Sequence, residues 1–188
     1  MRGFGVMTVA DAGFVDVYEK LFRYVYAYCR RRTSTDRVDD AVAEVFLTVW
    51  RRMDELPAQG EILPWTYSIA HGVLSNQWRS ASRRRNLDRK LAAIGADPVI
   101  SPEDFVVTRY ESEQVLEAVS VLRPMEQEML MLSIWEDLSH SEIAVVLNIS
   151  VDAVKQRLSR AKKNMTREYN RLEKRRFRTP AAQKGGAW

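Results

Sequence analysis

With 188 residues the chain can bury one sizeable core or two small ones, and it contains no internal repeat. Its formal net charge is only +4, yet the pI is about 9.3 and the cations are clustered, the charge layout of a polyanion binder. A single cysteine excludes an internal disulfide, no apolar run is long enough to span a bilayer, and the N-terminal residues lack the charged-then-apolar layout of a secretion signal, so a cytoplasmic protein with no membrane insertion of its own is expected.

Asp11 is placed to cap a first helix in which Phe14, Tyr18, Leu21, Phe22, Val25 and Cys29 keep the helical period. Cys29 reads there as a small core residue rather than a nucleophile. The helix ends in Arg30-Arg31-Arg32, cations that suit its dipole even if they touch nothing. A second helix starts around Asp36 to Asp40, with Ala41, Val42, Val45, Phe46, Val49 and Trp50 on one side and Asp39, Asp40, Glu44 and Arg51 mostly on the other. That acidic side is either a docking face or, more commonly for such patterns, a solvated one.

Pro64 opens a third helix that mixes Trp65, Tyr67 and Trp78 with positive charge. Rings stack on exposed bases while guanidinium groups follow phosphates, so this mixture suits single-stranded nucleic acid. The alternative puts Trp65, Ile69 and Leu74 in a core and leaves the arginines to solubilise the helix end. From Arg79 to Lys90 the cations are Arg79, Arg83, Arg84, Arg85, Arg89 and Lys90 against the single anion Asp88, denser than solubility requires, which favours a nucleic-acid surface.

Between Leu91 and Tyr110 the periodicity weakens and Gly95, Pro98, Ser101 and Pro102 interrupt any long helix, the pattern of a linker, made acidic by Glu103, Asp104, Glu111 and Glu113. A helix through Val115, Leu116, Val119 and Leu122 follows, is broken at Arg123-Pro124, and is succeeded by another from Met125 to Trp135. Next comes a helix-turn-helix pattern. Ser139 and Glu142 form a capping box, Ile143, Ala144 and Leu147 an inner face, Asn148 a stop at positive φ, and Ser150 the next cap. In the second helix Val154, Leu158 and Ala161 share a buried stripe, leaving Lys155, Gln156, Ser159, Arg160 and Lys163 elsewhere on the circumference. Such a face fits the major groove, where Lys or Arg pairs with guanine and Gln with adenine; the competing reading is an ordinary helical hairpin with a solvated charged face. The chain stays basic to Arg178, and the Pro-, Gly- and Ala-containing tail after it reads as disordered.

In this order the parts resemble the bacterial sigma factors, and among them the small two-domain extracytoplasmic-function (ECF) group, over roughly Phe14 to Tyr169. The family's Asp-Leu-x-Gln-Glu-x-Phe block, which grips the large polymerase subunit, reads Asp40-Ala41-Val42-Ala43-Glu44-Val45-Phe46 here, followed by Val49-Trp50. The resemblance therefore implies that Asp39, Asp40, Glu44, Phe46 and Trp50 bind polymerase. The block that melts and reads the minus-10 element reads Trp65-Thr66-Tyr67-Ser68-Ile69-Ala70-His71-Gly72, with Gly72 in place of the usual asparagine, so a base contact there is absent or passes to Asn76 or His71. This implies Trp65, Tyr67, His71, Asn76, Trp78, Arg79, Arg83, Arg84 and Arg85 as the minus-10 and melting residues. The minus-35 block survives as Glu142-Ile143-Ala144 and as Val154-Lys155-Gln156-Arg157-Leu158-Ser159-Arg160-Ala161, with Gln127, Asn148, Asp152 and Ala153 as departures, and implies Lys155, Gln156, Arg157, Ser159, Arg160 and Lys163 as minus-35 contacts.

The fold expected is all-α: two small helical domains joined by a flexible linker, the C-terminal one containing the helix-turn-helix. The resemblance sets a region 2-like domain at 11–90, a linker at 91–111, a region 4-like domain at 112–175 and a basic tail at 176–188. The function it implies is a sigma factor that binds core RNA polymerase, reads promoter DNA as duplex and as melted strand, and is held by an anti-sigma factor. A free-standing helix-turn-helix regulator and a sigma mimic that sequesters an anti-sigma protein are the rivals. An enzyme is disfavoured, and no cofactor or metal is expected, because His71 and His140 stand alone and no glycine-rich phosphate loop occurs.

Overall fold

The computed structural model describes residues 9–91 and 113–178, with side chains at 13–80, 115 and 117–174. Among these residues every regular element is a helix. Three helices make the first unit: α1 (Val9–Arg30), α2 (Val38–Arg51) and α3 (Ile62–Leu91). Four make the second: α4 (Glu113–Ser120), α5 (Pro124–Ile134), α6 (His140–Leu147) and α7 (Val151–Arg178). The linker and the tail expected from the sequence lie outside the described residues.

Local chemistry accounts for most boundaries. Pro64 sits in the first turn of α3 rather than at its start, where its missing N–H costs nothing. Pro124 occupies the first turn of α5, with the Glu126 carboxylate accepting from the Arg123 amide at 3.2 Å. α7 runs well past Lys163, because no glycine or proline occurs from Val151 to Arg178.

The core of the first unit follows the expected stripes. Val17, Leu21, Val25 and Cys29 of α1 meet Val38, Ala41, Val42, Val45, Phe46 and Val49 of α2 and Ile69, Ala70, Val73 and Leu74 of α3. Cys29 is fully buried, and loss of hydration pushes its thiol up to about 12, as befits a packing residue. Trp50, expected on the buried side of α2, is instead 40% exposed, its ring edge resting on Phe14 at a centroid distance of 5.0 Å.

The two units share their core. Leu132, Leu138, Ile143, Ala144, Val146 and Val154 belong to the same buried cluster as Val25, Tyr28 and Leu74, and α6 packs directly on α3. A smaller cluster of Leu122, Met129, Leu130, Leu158 and Ala161 ties α5 to α7 within the second unit. The two small helical domains expected from the sequence are both present, and their docking on each other is what the sequence left unaddressed. The inner face of α6 is apolar toward either neighbour, so periodicity alone does not assign it to one.

Candidate nucleic-acid interface

The helix-turn-helix forms as its sequence dictates. The Ser139 hydroxyl accepts from the Glu142 amide at 3.3 Å while the Glu142 carboxylate accepts from the Ser139 amide at 2.7 Å. α6 then stops on Asn148, which adopts φ 51° and ψ 52° and returns its amide to the last turn of the helix. Two residues later Ser150 caps α7, accepting from the Ala153 amide at 3.2 Å. With Val154, Leu158 and Ala161 buried, the side chains of Lys155, Gln156, Arg157, Ser159, Arg160 and Lys163 are all exposed. Lys155 has one loose partner, Asp152 at 3.5 Å, on the same exposed turn. The face is therefore polar, cationic and free to meet an acceptor-rich groove.

On α2, Asp39, Asp40, Glu44 and Trp50 are exposed, and Glu44 accepts from the Gln77 amide of α3 at 3.1 Å. Phe46 is 4% exposed, enclosed by the rings of Phe14, Tyr18 and Phe22. It supports the face from beneath rather than presenting itself. Beside it, Tyr18, Phe22, Tyr26, Asp39 and Ala43 line a shallow groove between α1 and α2, open where Ala43 carries only a methyl group.

The minus-10 candidates on α3 divide into two sets. Asn76 and Arg79 are exposed and joined, with Arg79 Nη2 donating to Asn76 Oδ1 at 2.7 Å. Trp65 and Trp78 are half-buried, and the Arg52 guanidinium lies 5.6 Å from the Trp65 ring centroid. Tyr67 and His71 are turned instead into the seam between the units. The side chains of Arg83, Arg84 and Arg85 lie outside the described ones.

That seam is a buried charged network which sequence reasoning missed. Arg32 Nε donates to Glu128 Oε1 at 3.1 Å and Oε2 at 2.9 Å, and Arg32 Nη1 donates to Glu136 Oε1 at 2.9 Å. Arg31 Nη2 donates to Glu136 Oε2 at 2.6 Å, and the Tyr67 hydroxyl reaches the same oxygen at 3.3 Å. Tyr28 donates to Glu128 Oε1 at 2.9 Å, stacks on Tyr67 at 4.9 Å, and lies under the Arg32 guanidinium at 3.6 Å. His71 Nδ1 stands 3.8 Å from Glu128 Oε1. Glu136 is held by a tight turn after α5, in which Asp137 takes φ 51° and the Leu138 amide donates to the Leu132 carbonyl.

Burial opposes the charge on Arg32, but Glu128, Tyr28 and Glu136 outweigh it and raise the guanidinium above its ordinary value. Burial, reinforced by the neighbouring carboxylates, raises both Tyr28 and Tyr67, so the phenols stay protonated as donors. Burial also lowers His71, with Arg32 adding to the effect and Glu128 opposing it. No sequence signal pointed to this network, because its partners stand about a hundred positions apart and none carries a local motif.

Two family models match the chain: sigma-70 region 2 over residues 17–84 and sigma-70 region 4 over residues 112–165. The protein therefore belongs to the sigma-70 family of RNA polymerase sigma factors. Within it, the chain is a member of the ECF group, whose members are initiation factors rather than enzymes. A probable RNA polymerase sigma factor of Xanthomonas campestris pv. campestris, RfaY, is 32% identical over 134 residues, 69% of this chain but only 33% of that relative. The Bacillus subtilis RNA polymerase sigma factor YlaC is 26% identical over 158 residues, 81% of this chain and 91% of that one. In fold the chain is similar to the sigma factor RpoE of Bartonella quintana, solved in complex with the anti-sigma factor NepR. That match has a TM-score of 0.61 and 18% identity and covers 84% of this chain and 97% of that one. No described helix is long and apolar enough to cross a membrane.

Proposed function

We propose that this chain binds core RNA polymerase and directs promoter-specific initiation from the cytoplasm, with the division of labour its family membership suggests. A region 2-like domain over 11–90 engages polymerase through Asp39, Asp40, Glu44 and Trp50, braced by Phe46. It meets the opened minus-10 strand through Trp65, Tyr67, His71, Asn76, Trp78, Arg79 and the Arg83 to Arg85 run. A linker over 91–111 leads to a region 4-like domain over 112–175, which lays α7 in the minus-35 major groove. Each module alone offers a small surface, so selectivity comes from polymerase holding both at fixed spacing, which raises the effective concentration of the second contact.

The observation that carries this reading is the α7 face. Lys155, Gln156, Arg157, Ser159, Arg160 and Lys163 are exposed together on a helix whose entry is fixed by the Ser139 cap and the Asn148 turn. An anti-sigma protein is the proposed regulator, since the similar RpoE was solved bound to one. A free-standing regulator would not need the aromatic-basic α3, and a sequestering mimic would not need the α7 cations.

The test is transcription from fragmented genomic DNA by core polymerase with and without the chain, with Lys155→Ala/Arg160→Ala alongside. Discrete start sites that need the chain and fade with the double substitution support the reading. Tight duplex binding without any initiation assigns it instead to a conventional regulator.

A further inference from the structure

Glu128 and Glu136 project from the second unit onto donors of the first, and they do so where the reading of α3 as a strand-binding helix needs those donors free. We propose that Arg31 and Arg32, with Tyr67 and His71, form a phosphodiester site for the opened promoter strand, and that Glu128 and Glu136 fill this site in the closed chain as a carboxylate stand-in. The proposal rests on the minus-10 role given above to α3.

The chemistry of the donors fits a phosphate. Two guanidinium groups and a phenol converge on four carboxylate oxygens at 2.6 to 3.3 Å, and a phosphodiester presents the same kind of anionic acceptors to the same forked donors. The donor set also exceeds what the carboxylates fill: Arg31 Nε and Arg32 Nη2 are buried and find no acceptor among the described residues. The stacked Tyr28 and Tyr67 rings add an aromatic floor beside the cations, the pairing that single strands use.

Position makes the two uses exclusive. Tyr67 and His71 lie one turn apart on α3, and Asn76 and Arg79 follow on the same helix with their side chains in solvent. In the closed chain Tyr67 is 1% and Arg32 is 3% exposed, so a strand reaches them only after α5 has moved away. The charged part of the seam trades like for like, carboxylate oxygens for phosphate oxygens on the same donors, and the apolar docking of α6 on α3 is what the strand must overcome. Strand and carboxylates compete for one site, and the second unit is released when the strand wins.

The experiment uses the full chain and a fluorescein-labelled single-stranded DNA of random sequence, read by anisotropy, with small-angle scattering for compactness and far-UV circular dichroism for helix content. Glu128→Gln/Glu136→Gln should extend the chain and tighten strand binding tenfold or more, and adding Arg31→Met/Arg32→Met should erase that gain while the chain stays extended. An extended double variant that binds no tighter, a compact one, or a gain that survives loss of the arginines overturns the proposal. A variant that loses helix content is bypassed by hydrogen exchange on the unsubstituted chain: saturating strand should deprotect α5, and unchanged α5 protection overturns the proposal equally. Polymerase takes no part in these readouts. Specific initiation with no strand switch therefore removes the site and leaves the sigma reading standing, and a strand switch with no initiation does the reverse.

Discussion

Arg32 and Glu128 stand 96 positions apart in sequence and are joined by two hydrogen bonds, from one guanidinium nitrogen to both carboxylate oxygens at 3.1 and 2.9 Å, in a seam where Arg32 is 3% exposed. Breaking such a pair from one side leaves a buried charge without its partner, which costs roughly 3–5 kcal/mol. Glu128→Ala should therefore lower the unfolding free energy of the whole chain, read from urea unfolding, by an amount in that range. Lys20→Ala, which removes an exposed pair with Asp16, should shift it by less than about 1 kcal/mol.

His71 gives the seam a pH dependence of definite sign. Its folded pKa lies below the ordinary histidine value, through burial first and Arg32 second, with Glu128 opposing. Protons then bind the unfolded imidazole before the folded one, so the contribution is whole above about pH 6.5 and declines as pH falls through the window below. Urea midpoints measured from about pH 7.5 down to about pH 5 should fall more steeply for the parent than for His71→Phe.

Which parts were legible in the sequence follows from how far apart the interacting residues lie. Ser139 with Glu142, Asn148 at its turn and Ser150 before α7 are local devices acting within four residues, and each forms where its residue type predicts. Periodicity likewise found the buried stripe of α2, though it put Trp50 inside, because a large ring at the stripe's edge counts as apolar whether or not it is covered. The docking of α6 on α3 and the Arg32, Glu128 and Glu136 network are tertiary. Arg31 and Arg32 satisfied a local rule as helix-end cations, and that local account left nothing to suggest a second partner.

Asn148 offers a sharp test of the turn. It holds φ 51°, a conformation that glycine takes freely and a β-carbon resists by roughly 1–2 kcal/mol. Asn148→Gly should keep or raise the melting temperature, and Asn148→Ala should lower it. With polymerase present, and on the proposed minus-35 role of α7, loss of promoter binding should follow Ala rather than Gly, because what positions α7 is the turn and not the amide.

Gly72 has the opposite character. It lies inside α3 with negative φ, and a Cβ built there meets nothing within 4 Å. Glycine in a helix interior costs about 0.5–1 kcal/mol relative to alanine, so Gly72→Ala should stabilise the chain by that amount in thermal unfolding. A fall in stability would mean that space beside α3 is in use.

Gln127 replaces an arginine usual in the resembled family, and the structure gives the reason a neutral side chain suits this chain. Its Nε2 donates to the Ser120 carbonyl at 3.1 Å and the Leu122 carbonyl at 2.9 Å, tying off the end of α4 where the chain turns into α5, and the residue is 3% exposed. Gln127→Leu keeps the volume but leaves two carbonyls without that donor, a loss of about 1–3 kcal/mol. Gln127→Arg would place a full charge at a position only 3% exposed and should cost more than Leu. Urea unfolding of the two variants gives the order: Arg below Leu, with both below the parent. The reverse order would mean that the guanidinium finds solvent or a carboxylate from this position.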